Sequence, residues 1–284
     1  MNPLWLQEIV RDALNEDIGQ GDLTTEALIP KEARGQAVFL AKGTGVVAGL
    51  ESVVEVYQQL DPNIRLDVER DNGDRVEPGT VIARAEGSIR SLLIGERVAL
   101  NFLQRFSGIA TVTRQVVDQL EGLSCRVLDT RKTTPGLRLL EKAAVCAGGG
   151  VNHRFGLGHG VMIKDNHIAA AGSLAQAVKQ VRSQLGHMVQ VEVEADTLEQ
   201  VDEILALDVD AILLDNMEPT QLREAVRRID GRVWTEASGG ITPDTAREIA
   251  ATGVNGISLG WLTHSPVALD ISLDLMMEEE SNHE

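Results

Sequence analysis

Four short apolar runs in the C-terminal half, VEVE, ILLD, VWTE and GISLG, end at Glu194, Asp215, Glu236 and Gly260, at steps of 21, 21 and 24 residues. Each step is the length of one strand plus one helix. The segments between them, TLEQVDEILAL, EPTQLREAVRRI and TPDTAREIAATG, are amphipathic. The last two open near a proline, which a first helical turn tolerates. Repeated βα units oblige a parallel sheet, because parallel neighbours need a crossover of a dozen or more residues. CRVLD at 125–129, VMI at 161–163 and a helix starting from a capping Ser173 extend the scheme to six strands, which suggests a barrel. In a barrel the chemistry collects where strands end, so Asp129, Lys164, Glu194, Asp215, Glu236 and Gly260 are expected on one rim.

The N-terminal part follows a different pattern. Leu4, Leu6, Ile9, Val10 and Leu14 have helical spacing, and Gly19, Gly21 and Asp22 break that helix. From 36 to 86 short apolar runs alternate with the turns DNGD and EPGT around a helix-like segment near 51–60, the pattern of a small antiparallel α+β unit. A long helical stretch from 89 to 121 contains Ser107-Gly108, where a break and a domain boundary are expected. The fold class is therefore α/β, with a first domain over 1–108 and a barrel over 109–266. The segment 267–284 is expected to add a last strand or edge element packed back on the first domain, followed by a disordered acidic end.

Charge restricts the partners. Lys plus Arg number 26 against 43 Asp plus Glu, a formal charge of −17, so a nucleic-acid polyanion is repelled. No apolar run reaches the roughly 20 residues of a membrane helix, and the opening segment lacks the apolar core of a signal peptide, so a soluble cytoplasmic protein is expected. Cys125 and Cys146 form no close pair and are expected to be reduced, buried small residues. Against the acidic background, residues 130–164 hold Arg131, Lys132, Arg138, Lys142, Arg154 and Lys164 with one acid, Glu141.

That island contains the chemistry-bearing motifs. DTRKTTPGLR sets Arg131 and Lys132 side by side after a strand, which suits a carboxylate or phosphate ligand. GGGVNHR lacks the Lys-Ser/Thr of a phosphate loop, and GxGxG further on is too weak for a dinucleotide fingerprint. His153, His159 and His167, spaced by six and eight, match no helical metal pair. The remaining reading is a small-polyanion pocket of Arg131, Lys132, His153, Arg154 and Lys164, with glycines letting backbone approach the ligand. Glu194 and Asp215 at strand ends suit sugar hydroxyls, indirect Mg²⁺ binding or a developing cation, or else salt bridges to Lys132 or Lys164. SGG at 238–240 and LGWLTHS at 259–265 offer backbone N–H groups where barrels often bind phosphate.

Taken in order, GERVALN, LDTRKTTPGLR, CAGGGVNHRFGL, MIKDNHI, VEVE, LLDNM, EASGGIT and GISLGWLTHS resemble the quinolinate phosphoribosyltransferases over most of the chain. The resemblance implies an N-terminal α/β sandwich domain followed by an irregular open α/β barrel. It implies transfer of phosphoribosyl from phosphoribosyl pyrophosphate to quinolinate with decarboxylation, in NAD biosynthesis, with Mg²⁺. It further implies a dimer or hexamer in which Arg97 reaches the partner's site. By motif, Arg131, His153, Arg154 and Lys164 would surround quinolinate and Lys132 would lie between quinolinate and the donor. Glu194 and Asp215 would face ribose and magnesium, and Ser238, Gly239 and Gly260 would take the 5′-phosphate. The intact MIKDNHI favours this group over a paralogue associated with molybdate transport. Thr134 stands where Leu is common, Gly239-Gly240 follows Ser238, and Trp261, in place of a usually small residue, would narrow the phosphate rim; His159 and His167 receive no task.

Overall fold

The computed structural model describes residues 3–276. The expected disordered acidic end at 278–284 lies outside the described residues. The chain divides into two units, one of residues 1–114, 134–149 and 265–284, the other of 115–133 and 150–264.

The first unit begins with α1 (Pro3–Ile18) and α2 (Leu23–Leu28), continues through β1 (Arg34–Ala41), β2 (Gly45–Val46), α3 (Leu50–Leu60), β3 (Arg65–Val68), β4 (Arg75–Val76) and β5 (Val81–Ser88), and enters the long α4 (Ile89–Gln119). Asp22 caps α2 by accepting from the amides of Thr24 and Thr25 at 3.0 and 2.9 Å, which is how the Gly19–Asp22 stretch both ends one helix and starts the next. Gly73 and Gly79 take φ of 99° and 91° in the DNGD and EPGT turns, a region that favours glycine.

The second unit carries β6 (Arg126–Leu128), then, after α5 (Arg138–Ala147) of the first unit, β7 (Val161–Ile163), α6 (Asp165–Ala171), α7 (Leu174–Gln184), β8 (Val191–Ala195), α8 (Leu198–Ile204), β9 (Ala211–Asp215), α9 (Pro219–Ile229), β10 (Trp234–Ser238), α10 (Pro243–Ala250), β11 (Gly256–Ser258) and α11 (Trp261–His264). Its six strands form one sheet in the order β6-β11-β10-β9-β8-β7, with every pairing parallel. All six expected strands are present. The sheet is open between β6 and β7 among the described residues; Val151 instead makes an isolated parallel bridge to Leu128. Ser173 and Thr197 cap α7 and α8, and Pro219 and Pro243 occupy the first turns of α9 and α10.

The last strand, β12 (Ile271–Met276), returns to the first unit and pairs antiparallel with β1, giving a four-stranded sheet in the order β12-β1-β5-β3. Behind this sheet Phe39 meets Tyr57 edge-on at 6.3 Å, and Phe102 stacks on Phe106 at 5.8 Å. Leu140, Ala144 and Val145, on the apolar face of α5, join the same core. That is why 134–149 group with the first unit, where a single boundary near 108 places them in the barrel.

The expected break at Ser107-Gly108 does not occur; α4 runs through it without interruption. Ser107 is fully buried and its Oγ takes the amide of Ala48 at 3.0 Å. A Cβ on Gly108 would press on the carbonyl oxygen of Val267 and lie 3.0 Å from Ala268 Cα. The glycine is a packing notch for the returning chain, a role that local helix-breaking rules cannot distinguish from a stop. Gly108→Ala should therefore destabilise the protein in denaturant unfolding by about 1–3 kcal/mol. Helix propensity alone predicts a gain of roughly 0.5–1 kcal/mol, so a higher unfolding midpoint for the variant would contradict the notch.

Candidate active site

The register of the parallel sheet builds the site. Glu194 lies opposite Leu213, and Leu213 opposite Glu236; Asp215 lies opposite Ser238. Side chains on a strand alternate in direction, so Glu194, Leu213 and Glu236 form one row on a single face, with Asp215 and Ser238 the next row toward the strand ends. The intervening Val193, Ile212, Leu214 and Ala237 are buried on the opposite face. A cavity of about 380 Å³ opens on the polar rows; it is lined by Arg131, Lys132, His153, Arg154, Lys164, Glu194, Asp215, Glu236 and Ser238, with Thr130, Met162, Leu213 and Ser258.

Eight of the expected site residues thus come together: Arg131, Lys132, His153, Arg154, Lys164, Glu194, Asp215 and Ser238. Gly239 and Gly260 adjoin it. Gly239 has φ of 95°, and a Cβ there would lie 2.6 Å from Asn216 Cγ, while a Cβ on Gly260 would lie 2.7 Å from Lys132 Cδ. Gly239 makes room for Asn216, and Gly260 makes room for the site residue Lys132. Arg97 is exposed on α4 in the first unit.

The charges are unevenly satisfied. Lys164 Nζ bonds Glu194 Oε2. Lys132 is held by its backbone, with its N–H donating to Thr130 Oγ1 at 3.0 Å and its carbonyl accepting from Thr263 Oγ1 at 2.9 Å. Burial lowers the Arg154 pKa, and the neighbouring Arg131 lowers it further. Asp215 is raised, first by burial and then by Glu194 and Asp196. Carboxylate oxygens of Glu194, Asp196 and Asp215 lie within 4.8 Å of one another. Crowded hard oxygen donors with a raised pKa among them suit a divalent cation such as Mg²⁺.

The sequence places Glu236 on the rim without a task there, and it does not single out Glu192 or Asp196 beside the site. Glu236 is 2% exposed, and burial, then the charge of Glu192, pushes its carboxyl up to about 7. Glu192 Oε2 and Glu236 Oε2 lie 3.2 and 3.6 Å from His153 Nε2. The signal for Glu192 was the alternation in VEVE itself, which puts Glu192 and Glu194 on one face. Asp196, just past the strand, had no such signal.

Several expectations need correction. Of the basic stretch, Arg131, Lys132, Arg154 and Lys164 line the cavity, while Arg138 and Lys142 belong to the first unit, where Lys142 is 2% exposed. Glu141, fully buried, takes Arg105 Nη2 at 2.6 Å, and Thr134 Oγ1 takes the same nitrogen at 2.7 Å, which gives the unusual Thr134 a partner. In GGG, Gly148 is a packing glycine, since a Cβ there would lie 2.6 Å from Thr113 Cβ. Trp261 Nε1 donates to Ile241 O at 2.8 Å and is not among the cavity-lining residues. His167 Nδ1 accepts the Lys164 amide at 3.0 Å at the start of α6, and His159 packs edge-on against Phe155 at 5.8 Å. Cys146 is exposed and Cys125 only half-buried, so neither is a core residue, although burial still raises the Cys125 thiol to about 12.

Family models for the N-terminal and C-terminal domains of quinolinate phosphoribosyl transferase match residues 22–107 and 109–274. The chain belongs to the quinolinate phosphoribosyltransferase family. It is 47% identical over 284 residues to a probable nicotinate-nucleotide pyrophosphorylase [carboxylating] of Bacillus subtilis, covering 100% of this chain and 98% of that one. The chloroplastic nicotinate-nucleotide pyrophosphorylase [carboxylating] of Arabidopsis thaliana is 44% identical, over 96% of this chain and 83% of its own length. Among solved structures, NadC from Streptococcus pyogenes superposes with a TM-score of 0.94 at 40% identity, covering 98% of this chain and 99% of that one. The fold is thus the family's, an N-terminal α/β domain with an antiparallel sheet followed by an open, irregular α/β barrel.

The raised carboxyl of Glu236 has a measurable consequence for this family member. Its folded pKa of about 7 lies above the ordinary 4.5, so the folded state keeps a proton that the unfolded chain releases. The resulting stabilisation is fully present below the ordinary value and disappears as pH rises through the folded one. Glu236→Gln should therefore lose less stability than wild type between about pH 5 and 7.5, by on the order of 1–3 kcal/mol. Parallel pH–stability curves for the two proteins would overturn the assignment.

Proposed function

We propose that this protein transfers the phosphoribosyl group from phosphoribosyl pyrophosphate to the ring nitrogen of quinolinate, with loss of one carboxyl, giving nicotinate mononucleotide, pyrophosphate and CO₂ for NAD biosynthesis in the cytoplasm. The observation that carries this reading is one cavity lined by Arg131, Lys132, Arg154 and Lys164 on one side and by Glu194 and Asp215 on the other. No helix among the described residues is long and apolar enough to cross a membrane.

In this reading Arg131, Arg154 and Lys164 hold the two carboxylates of quinolinate, with His153 backing that wall. Guanidinium forks suit carboxylates. Lys132 lies between the acceptor and the pyrophosphate of the donor, and Ser238 with the backbone at Gly239 and Gly260 takes the 5′-phosphate. Breaking the anomeric C–O bond leaves an oxocarbenium-like ribose and an anionic leaving group, so the site must stabilise both signs of charge at once. Glu194 and Asp215 answer the cation; Lys132 answers the anion. No covalent nucleophile or general base is required, because the pyridine nitrogen carries its own lone pair. Glu194, Asp196 and Asp215 would hold Mg²⁺, directly or through water or substrate, and when bound the ion supplies charge stabilisation to the pyrophosphate oxygens.

Lys132→Ala or Arg131→Ala should each cost about 2–5 kcal/mol in transition-state stabilisation, because each removes one partner of a desolvated charge pair. A coupled assay following pyrophosphate release checks this, and near wild-type kcat/KM in either variant would remove the residue from the site. Binding of quinolinate with no pyrophosphate released by the wild type would instead make the protein an anion-binding module. Chelation of divalent cations should abolish turnover and added Mg²⁺ should restore it.

We propose further that the protein is a homo-oligomer, a dimer or hexamer, in which Arg97 completes the neighbour's site. Its exposed position on α4 supports this. Arg97→Ala and Lys132→Ala proteins should each be nearly inactive, yet regain activity when mixed and re-equilibrated, since hybrids contain one intact site. Mixing without recovery would place Arg97 in its own subunit's site or outside any site.

A further inference from the structure

His153 lies in the wall between two cavities of the second unit. One is the 380 Å³ site described above; the other, of about 430 Å³, is lined by Gln190, Ala211 and Trp234 at the opposite ends of the strands. His153, Arg154 and Glu236 line both. The wall therefore has no thick packing behind it, and polar contacts must hold it in place.

Those contacts form a chain. Asp129, fully buried, accepts the His153 amide on Oδ1 at 2.8 Å. His153 Nδ1 accepts the amide N–H of Arg154, also at 2.8 Å. That nitrogen is therefore a lone-pair acceptor, and the ring proton resides on Nε2. Nε2 faces Glu192 Oε2 at 3.2 Å, and the Arg154 guanidinium donates to the carbonyl of Gly160 at 3.0 Å.

The trio of His153, Glu192 and Glu236 also has the spacing of a metal site, with ligand atoms within 4.8 Å of one another. The tautomer decides against that use. A metal on Nε2 needs the proton on Nδ1, where it usually donates to an outer acceptor, and here the Arg154 amide points its own hydrogen at Nδ1. Glu192 as acceptor for Nε2–H leaves each ring nitrogen of His153 with a partner.

We propose that Glu192 is a positioning residue for the dicarboxylate-binding wall: by accepting from Nε2 of His153 it holds the ring in the tautomer that receives the Arg154 amide, and so fixes Arg154 at the cavity. His153 then acts within the wall, and its ring donates no hydrogen bond to the substrate. Glu236 Oε2 also approaches Nε2, at 3.6 Å. The proposal rests on the proposed function for the identity of the ligand, but its central element, the tautomer, does not.

Two measurements test it. In the ligand-free wild type, ¹⁵N NMR of the His153 side chain should show the Nε2–H form; an Nδ1–H form overturns the proposal whatever the activity. In steady-state kinetics Glu192→Ala should raise the quinolinate KM by at least about tenfold, the effect of losing one charge-assisted hydrogen bond, while the phosphoribosyl pyrophosphate KM stays within about twofold. Glu192→Gln keeps an acceptor oxygen and should recover most of the loss. An unchanged quinolinate KM in Glu192→Ala, or an equal rise for both substrates, overturns the positioning role. Absence of wild-type turnover would count against the functional reading alone, because the tautomer is read without substrate and remains decisive if Glu192→Ala does not fold.

Discussion

The parallel register between β8, β9 and β10 is the constraint on which the site depends. It sets Glu194, Leu213 and Glu236 in one row and Asp215 beside Ser238 in the next. A slip of one residue in any pairing would turn these groups toward the helices and bring Val193, Ile212 or Ala237 into the cavity. The apolar residues buried under the helices therefore fix the acidic row as firmly as they fix the core.

The cations reach the site by a different route. Arg131, Lys132 and Arg154 lie on loops, and loops need tethers. Thr263 holds the Lys132 carbonyl, Asp129 holds the His153 amide, and Gly260 leaves space for the Lys132 side chain. Fixed dipoles and charges supply catalytic stabilisation only when they need not reorganise during reaction. The buried carboxylates Asp129, Glu192 and Glu236 make up that support. Their cost is visible in the pKa of Glu236, pushed upward by burial and by its neighbour.

Much of this was legible in one dimension. The interval between strand ends revealed the βα repeat, and Lys164, Glu194, Asp215 and Glu236, expected on one rim, do line one cavity, whereas Asp129, expected beside them, is fully buried. The RK pair after the first barrel strand and the HR pair after the glycines do line one cavity. Errors arose where a residue's partner is remote in sequence. Gly108 reads as a helix stop because nothing nearby shows Val267 and Ala268 pressing on it.

What the sequence determined by itself was periodic and chemical. Strand and helix spacing dictated a parallel α/β unit, and side-chain type dictated a cavity suited to carboxylates and phosphates, because these properties are local or repeat along the chain. Tertiary structure alone decided which members of the basic island face that cavity, which glycines serve packing, and which ring nitrogen of His153 carries the proton. Each of those depends on distance between groups far apart in the chain. Glu192 shows the division most clearly: alternation in VEVE puts it on the inner face, but only the approach of His153 across the fold gives it a partner.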